Sequence, residues 1–285
     1  MIRLDVATVL LQWATGGLLF LWVTTRRRTV GIGYGWLLRG VYGAMAAAAV
    51  AAGVALRPVA VRDVCSGLVA AAAFFTLALS VVRRKAGVAG ERERYERRRA
   101  RVTAMTGDAG VEGGSREPLS PEFPPALDLI GPAVGFVGLI AAGIAAGGPD
   151  LLAVVRTLAG AAFLGAVSDA MLLGHWYLVQ PGLSREPLNE LVRWVAAAWP
   201  VEVGALLWPT GMVSVLDGTI DDGYRGILGW FWVACAVATI ALAFVTRAAL
   251  RERAYSAVMA ATGLLYLAIL TAFGTDLVAR AVLSR

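Results

Sequence analysis

The residues of this chain that could do chemistry are few, and most stand where charge is costly. Asp169, His175, Arg193 and Glu202 fall within long apolar stretches, and Arg39 and Asp128 fall near the ends of theirs. A charged side chain in hydrocarbon costs roughly a few kcal/mol, so it faces a partner or a cavity and marks a site worth testing. Glu202 reads as the deepest carboxylate and follows Trp199-Pro200, where the proline frees a backbone carbonyl and kinks a helix. A protonatable carboxyl beside such a break is the pattern of a proton or cation relay. Arg156 is its nearest counter-charge by sequence.

Asp169 and Arg193 flank the turn Gln180-Pro181-Gly182-Leu183-Ser184 at matching distances, so they are expected to pair across adjacent antiparallel helices. The alternative is that Arg193 snorkels to the headgroups. His175, with Trp176 and Tyr177 beside it, falls near one membrane face, at the expected depth of Arg39, Asp128, Arg185, Glu190 and Arg193. Such a cluster could hold a lipid phosphate, an isoprenoid diphosphate or a quinone head. The imidazole could donate a hydrogen bond to a quinone carbonyl or act as a general base. Its plain alternative is an interfacial histidine satisfied by a carbonyl. At 100° per residue Asp169 and His175 point about 120° apart, so they are not a side-by-side catalytic pair.

Other chemistry is excluded or weak. One histidine and two cysteines without C-x-x-C spacing give no disulfide framework, zinc site or bis-histidine haem site, and no metal or cofactor is expected. Cys65 and Cys235 read as inert, small membrane residues. Gly31-Ile32-Gly33-Tyr34-Gly35 lacks the strand-turn-helix setting of a nucleotide loop. Asp276 and Arg280 are four apart and read as a surface pair of little worth. There are no paired aspartate-rich motifs and no metal-binding aspartate array, so an enzyme is the less favoured reading.

The elements that must position these residues follow from composition. The 285 residues are 58% apolar and 16% charged, with a mean hydropathy of +0.69; soluble domains run nearer 45–50% and about 25%. Eight stretches are long enough to cross about 30 Å of hydrocarbon as helices: Val6–Thr24, Trp36–Leu56, Val64–Val82, Ala126–Gly147, Leu151–Val179, Pro187–Trp208, Gly226–Val245 and Ala254–Val278. Runs such as Ala46 to Ala52 do not alternate apolar and polar residues, which rules out barrel strands. The fold expected is an all-α, polytopic integral membrane bundle of about eight helices. Its first span ends in Arg26-Arg27-Arg28 with no small-residue cleavage site, and reads as a retained anchor.

Arginines orient the bundle. With the loops after the first, third, fifth and seventh spans on the cytoplasmic side, that side holds 17 basic residues against 6 outside. Basic residues resist translocation, so both termini are expected outside, in the bacterial cytoplasmic membrane. Trp22, Trp36, Trp176, Trp208, Trp230 and Trp232 are expected at the headgroup belts. The net charge of +6 is thereby read as an orientation signal, and nucleic acid is not an expected partner.

Residues 83–125 divide the chain into a three-helix part, 1–82, and a five-helix part, 126–285. The stretch Arg83–Arg101 carries good helix formers with neighbours such as Glu93 and Arg97 but no apolar stripe. It reads as a topology determinant lying against anionic headgroups, or as a docking arm for a membrane-protein partner. Gly107 to Pro125 reads as a flexible linker. No internal duplication is found, which counts against inverted-repeat transporters. The favoured function is binding or translocation of a hydrophobic or amphiphilic small molecule of lipid, isoprenoid or quinone type, coupled to protons. The alternatives are a non-catalytic subunit of a larger membrane complex, and a lipid- or quinone-modifying enzyme using His175.

Overall fold

The structure is a computed structural model and describes residues 2–90, 93, 95–97, 100, 122–147, 150–180, 182–209, 211–252 and 254–284. Every long element among them is an α-helix: α1 Val6–Thr25, α2 Ile32–Leu56, α3 Ala60–Val82, α4 Ile130–Ala145, α5 Asp150–Val179, α6 Glu186–Leu207, α7 Ile227–Ala249 and α8 Tyr255–Leu283. Seven of these, all but α6, are long and apolar enough to cross a membrane, so the chain is a multi-pass membrane protein. At 22 residues α6 spans roughly 33 Å, but it carries Glu186, Glu190, Arg193 and Glu202 and fails on composition. The helix runs on through Pro200.

Two helices form the middle. In α1 and α5, 67% of the apolar window is buried, against 33 to 44% in the other five qualifying spans. Lipid gives no hydrophobic drive for helix association, so close packing of small residues must supply it. Gly16 and Gly165 provide that contact: a Cβ on Gly16 would lie 1.8 Å from the Ala161 carbonyl oxygen, and one on Gly165 would lie 2.5 Å from the Gly16 oxygen. The parts 1–82 and 126–285 therefore pack into one bundle through α1 and α5.

Both chain ends lie at one end of the bundle, where Arg3, Asp5, Arg57 and Ser284 line one recess. We call this the terminal end, and the opposite one, where α3 runs on into Arg83, the arm end. At the arm end, Arg26 and Arg27 pair with Glu190 and Glu186 at the start of α6, and Pro187 occupies its first turn as expected. Arg185 donates to the Glu252 and Ala254 carbonyls of the α7–α8 turn. At the terminal end Asp222 caps α7, accepting from the N–H groups of Tyr224, Gly226 and Leu228 at 2.8, 2.9 and 2.8 Å.

Of the arginine arm, Glu93 and Arg97 form the i,i+4 pair read from the sequence. Its remaining docking and linker features, from residue 101 to 121, lie outside the described residues. Among the belt tryptophans, Trp208 and Trp230 are exposed, whereas Trp232 is buried among Val203, Leu206 and Met212. Trp232 therefore belongs to the core and not to the interface: Ile2 and the Met212–Leu216 turn cover the terminal end of α7.

Candidate functional site

At the terminal end, five helices send polar side chains into one buried network. It begins with Asp5, which caps α1 by accepting from the Thr8 N–H at 3.1 Å and pairs with Arg62 at the start of α3. Arg62 is buried and fully engaged: its Nε donates to Asp63 at 2.8 Å and its Nη2 to the Arg57 carbonyl at 2.6 Å. About two turns into α1, Gln12 donates to Asp276 Oδ1 of α8 at 3.4 Å. Asp276 Oδ2 accepts from Arg280 Nε at 2.7 Å. Gly160 of α5 makes the room, since a Cβ there would lie 2.0 Å from Gln12 Nε2 and 2.6 Å from Asp276 Oδ1.

Glu202 of α6 closes this network from the other side. It is fully buried, and neither carboxyl oxygen meets a donor. Its charged neighbours are Asp276, Arg280 and Arg156. Arg156, also buried, gives its Nε to the Ala205 carbonyl at 2.7 Å. The expected Glu202–Arg156 proximity is therefore present, but Asp276 and Arg280 are electrostatic partners as well. Around them, Gln12 Oε1 and Arg280 Nη2 are buried with no partner.

The chain stands alone in comparison: no protein-family model, no curated protein and no solved structure matches it. Its site chemistry rests on this geometry.

A second buried carboxyl lies deeper. Asp169 stands ten residues from the arm end of α5, roughly 15 Å along the axis, whereas Glu202 is five residues, roughly 7.5 Å, from the end of α6. Asp169, not Glu202, is thus the deeper carboxylate. Its Oδ1 accepts from Tyr42 Oη at 2.5 Å, and its backbone carbonyl accepts from Tyr34 Oη at 3.3 Å. Asp169 Oδ2 is buried without a partner. The neighbouring Ser168 Oγ accepts from Trp13 Nε1 at 2.8 Å.

The expected Asp169–Arg193 ion pair is not formed: Arg193 is exposed and Asp169 is fully buried toward α2. Matching depth across the α5–α6 turn fixed the level of the two residues, but their faces point to different neighbours. The expected cluster around His175 is not assembled either. His175 is exposed, with its Nδ1 3.2 Å from Tyr266 Oη of α8. Arg39 and Asp128 pair with each other through two bonds of 2.7 Å, and Arg39 stacks over Phe123 at 4.4 Å. Glu190 is held by Arg26 and Arg27, and Arg185 by carbonyls.

Sequence reasoning missed Asp276 and Arg280 as site residues. They are not a surface pair: they are 0 and 1% exposed. Helix α8 runs to Leu283, five residues beyond the expected end, and Ile2 packs beside Val282 and Leu283 over it. The available signal was Gln12, a lone amide in the middle of an apolar first span. Among the described residues no three His, Cys, Asp or Glu side chains converge as metal ligands.

Proposed function

We propose that this integral membrane protein binds or translocates an amphiphilic small molecule of lipid, isoprenoid or quinone type, coupled to proton transfer at the Glu202–Asp276 carboxyl pair. The observation that carries the reading is Glu202 itself: fully buried, without a donor on either oxygen, and facing a second buried carboxyl. A polar group placed for structure alone is satisfied, because a buried unsatisfied one costs about 1–3 kcal/mol. Two apolar side chains would hold the helices together as well. A carboxyl kept in this setting is suited to taking up and releasing a proton. For the amphiphile, a pocket opens at the arm end, where Arg28 and Arg83 meet Ile32, Phe123 and Pro125, with Glu122 also lining it. Guanidinium groups over apolar walls suit a polar head with a hydrocarbon tail. The arginine distribution supports an orientation with both termini outside, and the richness in Arg, Ala, Gly and Val supports a bacterial cytoplasmic membrane.

The test is proton flux into proteoliposomes that carry a pH-sensitive dye, under an imposed gradient. The wild type is expected to dissipate the gradient, and Glu202→Gln and Asp276→Asn to lose that flux while remaining folded. His175→Ala is expected to conduct as the wild type does. Wild-type flux no faster than that of empty vesicles, or an unimpaired Glu202→Gln variant, overturns the proposal. A second reading, a non-catalytic subunit docked through Arg83–Arg101, is favoured by the tight Gly16–Gly165 crossing, which fills the middle of the bundle. It predicts no flux in any variant and loss of complex assembly when residues 91–101 are deleted.

A further inference from the structure

The terminal end carries a second feature that the carboxyl pair does not use. A narrow cleft opens between the start of α1, the α2–α3 and α4–α5 turns and the end of α8. Arg3, Arg57, Arg62 and Arg280 line it, with Asp5 as its one lining carboxylate. These four guanidinium groups are not equally committed. Arg62 is spent on Asp5, Asp63 and a carbonyl. Arg57 gives one nitrogen to the Ala145 carbonyl at 3.0 Å and is half-buried at the mouth. Arg3 is exposed at the mouth. Arg280, 1% exposed, gives its Nε to Asp276, and its Nη2 is buried with no acceptor.

An unpaired guanidinium N–H at the bottom of a cleft walled by three more arginines is complementary to an oxyanion. The planar fork of arginine matches the oxygens of carboxylate and phosphate, and such charge-assisted bonds are the strong ones. The mouth has apolar shoulders: Leu4, Val6 and Leu56 are half or more exposed beside Arg3 and Arg57. A phosphate there could belong to a free anion or to a lipid headgroup whose chains lie over that rim.

We propose that the cleft at the terminal end is a phosphate-type oxyanion site, with Arg280 as its buried donor and Arg57 and Arg3 at its mouth. The site does not depend on proton movement, so it stands or falls apart from the role of Glu202.

Binding is measured as a rise in the thermal unfolding midpoint of the full chain, since a ligand of the folded state stabilises it by mass action. The chain is held in phosphatidylcholine nanodiscs and titrated with inorganic phosphate at constant ionic strength. A parallel set of nanodiscs contains phosphatidylglycerol. A saturable rise with inorganic phosphate identifies a free oxyanion, and a rise only with phosphatidylglycerol identifies the headgroup. In either case Arg57→Gln is expected to weaken the response about tenfold, the loss of one charge-assisted bond. The double variant Arg280→Gln/Asp276→Asn, which leaves no lone charge behind, is expected to abolish it. No rise with either probe, or an Arg57→Gln response equal to that of the wild type, overturns the site. If the double variant does not fold, Arg57→Gln and Arg3→Gln decide. Proton flux is not read in this assay, so a negative result here leaves the carboxyl-pair reading standing, and the converse holds.

Discussion

Removing the Tyr42 hydroxyl tests the deepest polar contact in the bundle. Tyr42 Oη is the one donor on the Asp169 side chain among the described residues, because Asp169 Oδ2 already lacks a partner. Tyr42→Phe therefore leaves a fully buried carboxyl with no hydrogen bond at all. Leaving a buried group unsatisfied costs about 1–3 kcal/mol. Hydrogen bonds between membrane helices average only about 0.6 kcal/mol, because the unfolded chain in a membrane also finds partners. The Asp169 site lies roughly 15 Å from the nearer end of α5, beyond easy reach of headgroups. The cost is then expected near the upper range, about 1.5–2.5 kcal/mol. Tyr34→Phe serves as the internal control: its hydroxyl reaches only the Asp169 backbone carbonyl, at 3.3 Å. That carbonyl also lies within a continuous helix, so the expected cost is under about 0.5 kcal/mol.

The assay is a double-mutant cycle on Tyr42→Phe and Asp169→Leu, read by reversible unfolding in mixed micelles. Because Asp169→Leu replaces the carboxyl with an apolar group, Tyr42→Phe in that background should cost little. A coupling energy of at least about 1 kcal/mol is expected. Coupling below about 0.3 kcal/mol, or a Tyr34→Phe loss as large as that of Tyr42→Phe, would refute the assignment of Tyr42 as the Asp169 partner.

Two further outcomes follow from the packing and the terminal-end loop. Gly16→Ala is expected to destabilise by about 2 kcal/mol or more, because its Cβ meets a backbone oxygen at 1.8 Å that cannot move aside. Gly160→Ala meets first the flexible end of Gln12, so it should cost less stability but should separate Gln12 from Asp276; comparing the two unfolding midpoints checks the order. Asp222, taken out of water, would by burial hold its proton more tightly, but the N–H groups of Gly226, Tyr224, Leu228 and Gly229 outweigh this and keep its carboxyl below the usual range. Its folded value lies below its unfolded one, so the stabilisation is complete above about pH 4 and is lost as pH falls through the folded value. Amide exchange at the start of α7 should accordingly quicken with acid in the wild type and be fast, without that dependence, in Asp222→Asn.

How much of this was legible depends on what each residue type announces. Apolar runs set the spans: α1 departs by one residue from its expected end, and α3 begins four residues early because Arg62 and Asp63 lower the local hydropathy while pairing with each other. The same effect hid the end of α8. Asp276 and Arg280 cancel within one helix, so the segment stays buried although its composition reads as surface. Partners were less legible than depths. α5 packs against α1, α4, α6 and α8, and the turn to α6 picked out only one of those faces for Asp169. Its actual partner, Tyr42, lies on α2, far from Asp169 in the chain and outside that turn, so no spacing in the sequence joined the two.

Three of the buried carboxyls, Asp128, Asp169 and Glu202, differ in how far they are satisfied. Asp128 is satisfied on both oxygens by Arg39, whose guanidinium is further held over Phe123. Such a matched pair offsets its own desolvation and fixes how the segment before α4 meets α2, and nothing in it remains for a ligand. Asp169 is satisfied on one oxygen, by a neutral hydroxyl. Glu202 is satisfied on neither, and the groups nearest it are a second carboxyl and two arginines with other commitments. If all three served only to bind helices, selection for stability would have no reason to leave the last one bare, since an apolar side chain of similar volume would pack there without the desolvation cost. The unmet hydrogen-bonding capacity of Glu202 is thus what supports the proposed carboxyl pair, beside Arg280, which also lines the proposed oxyanion cleft.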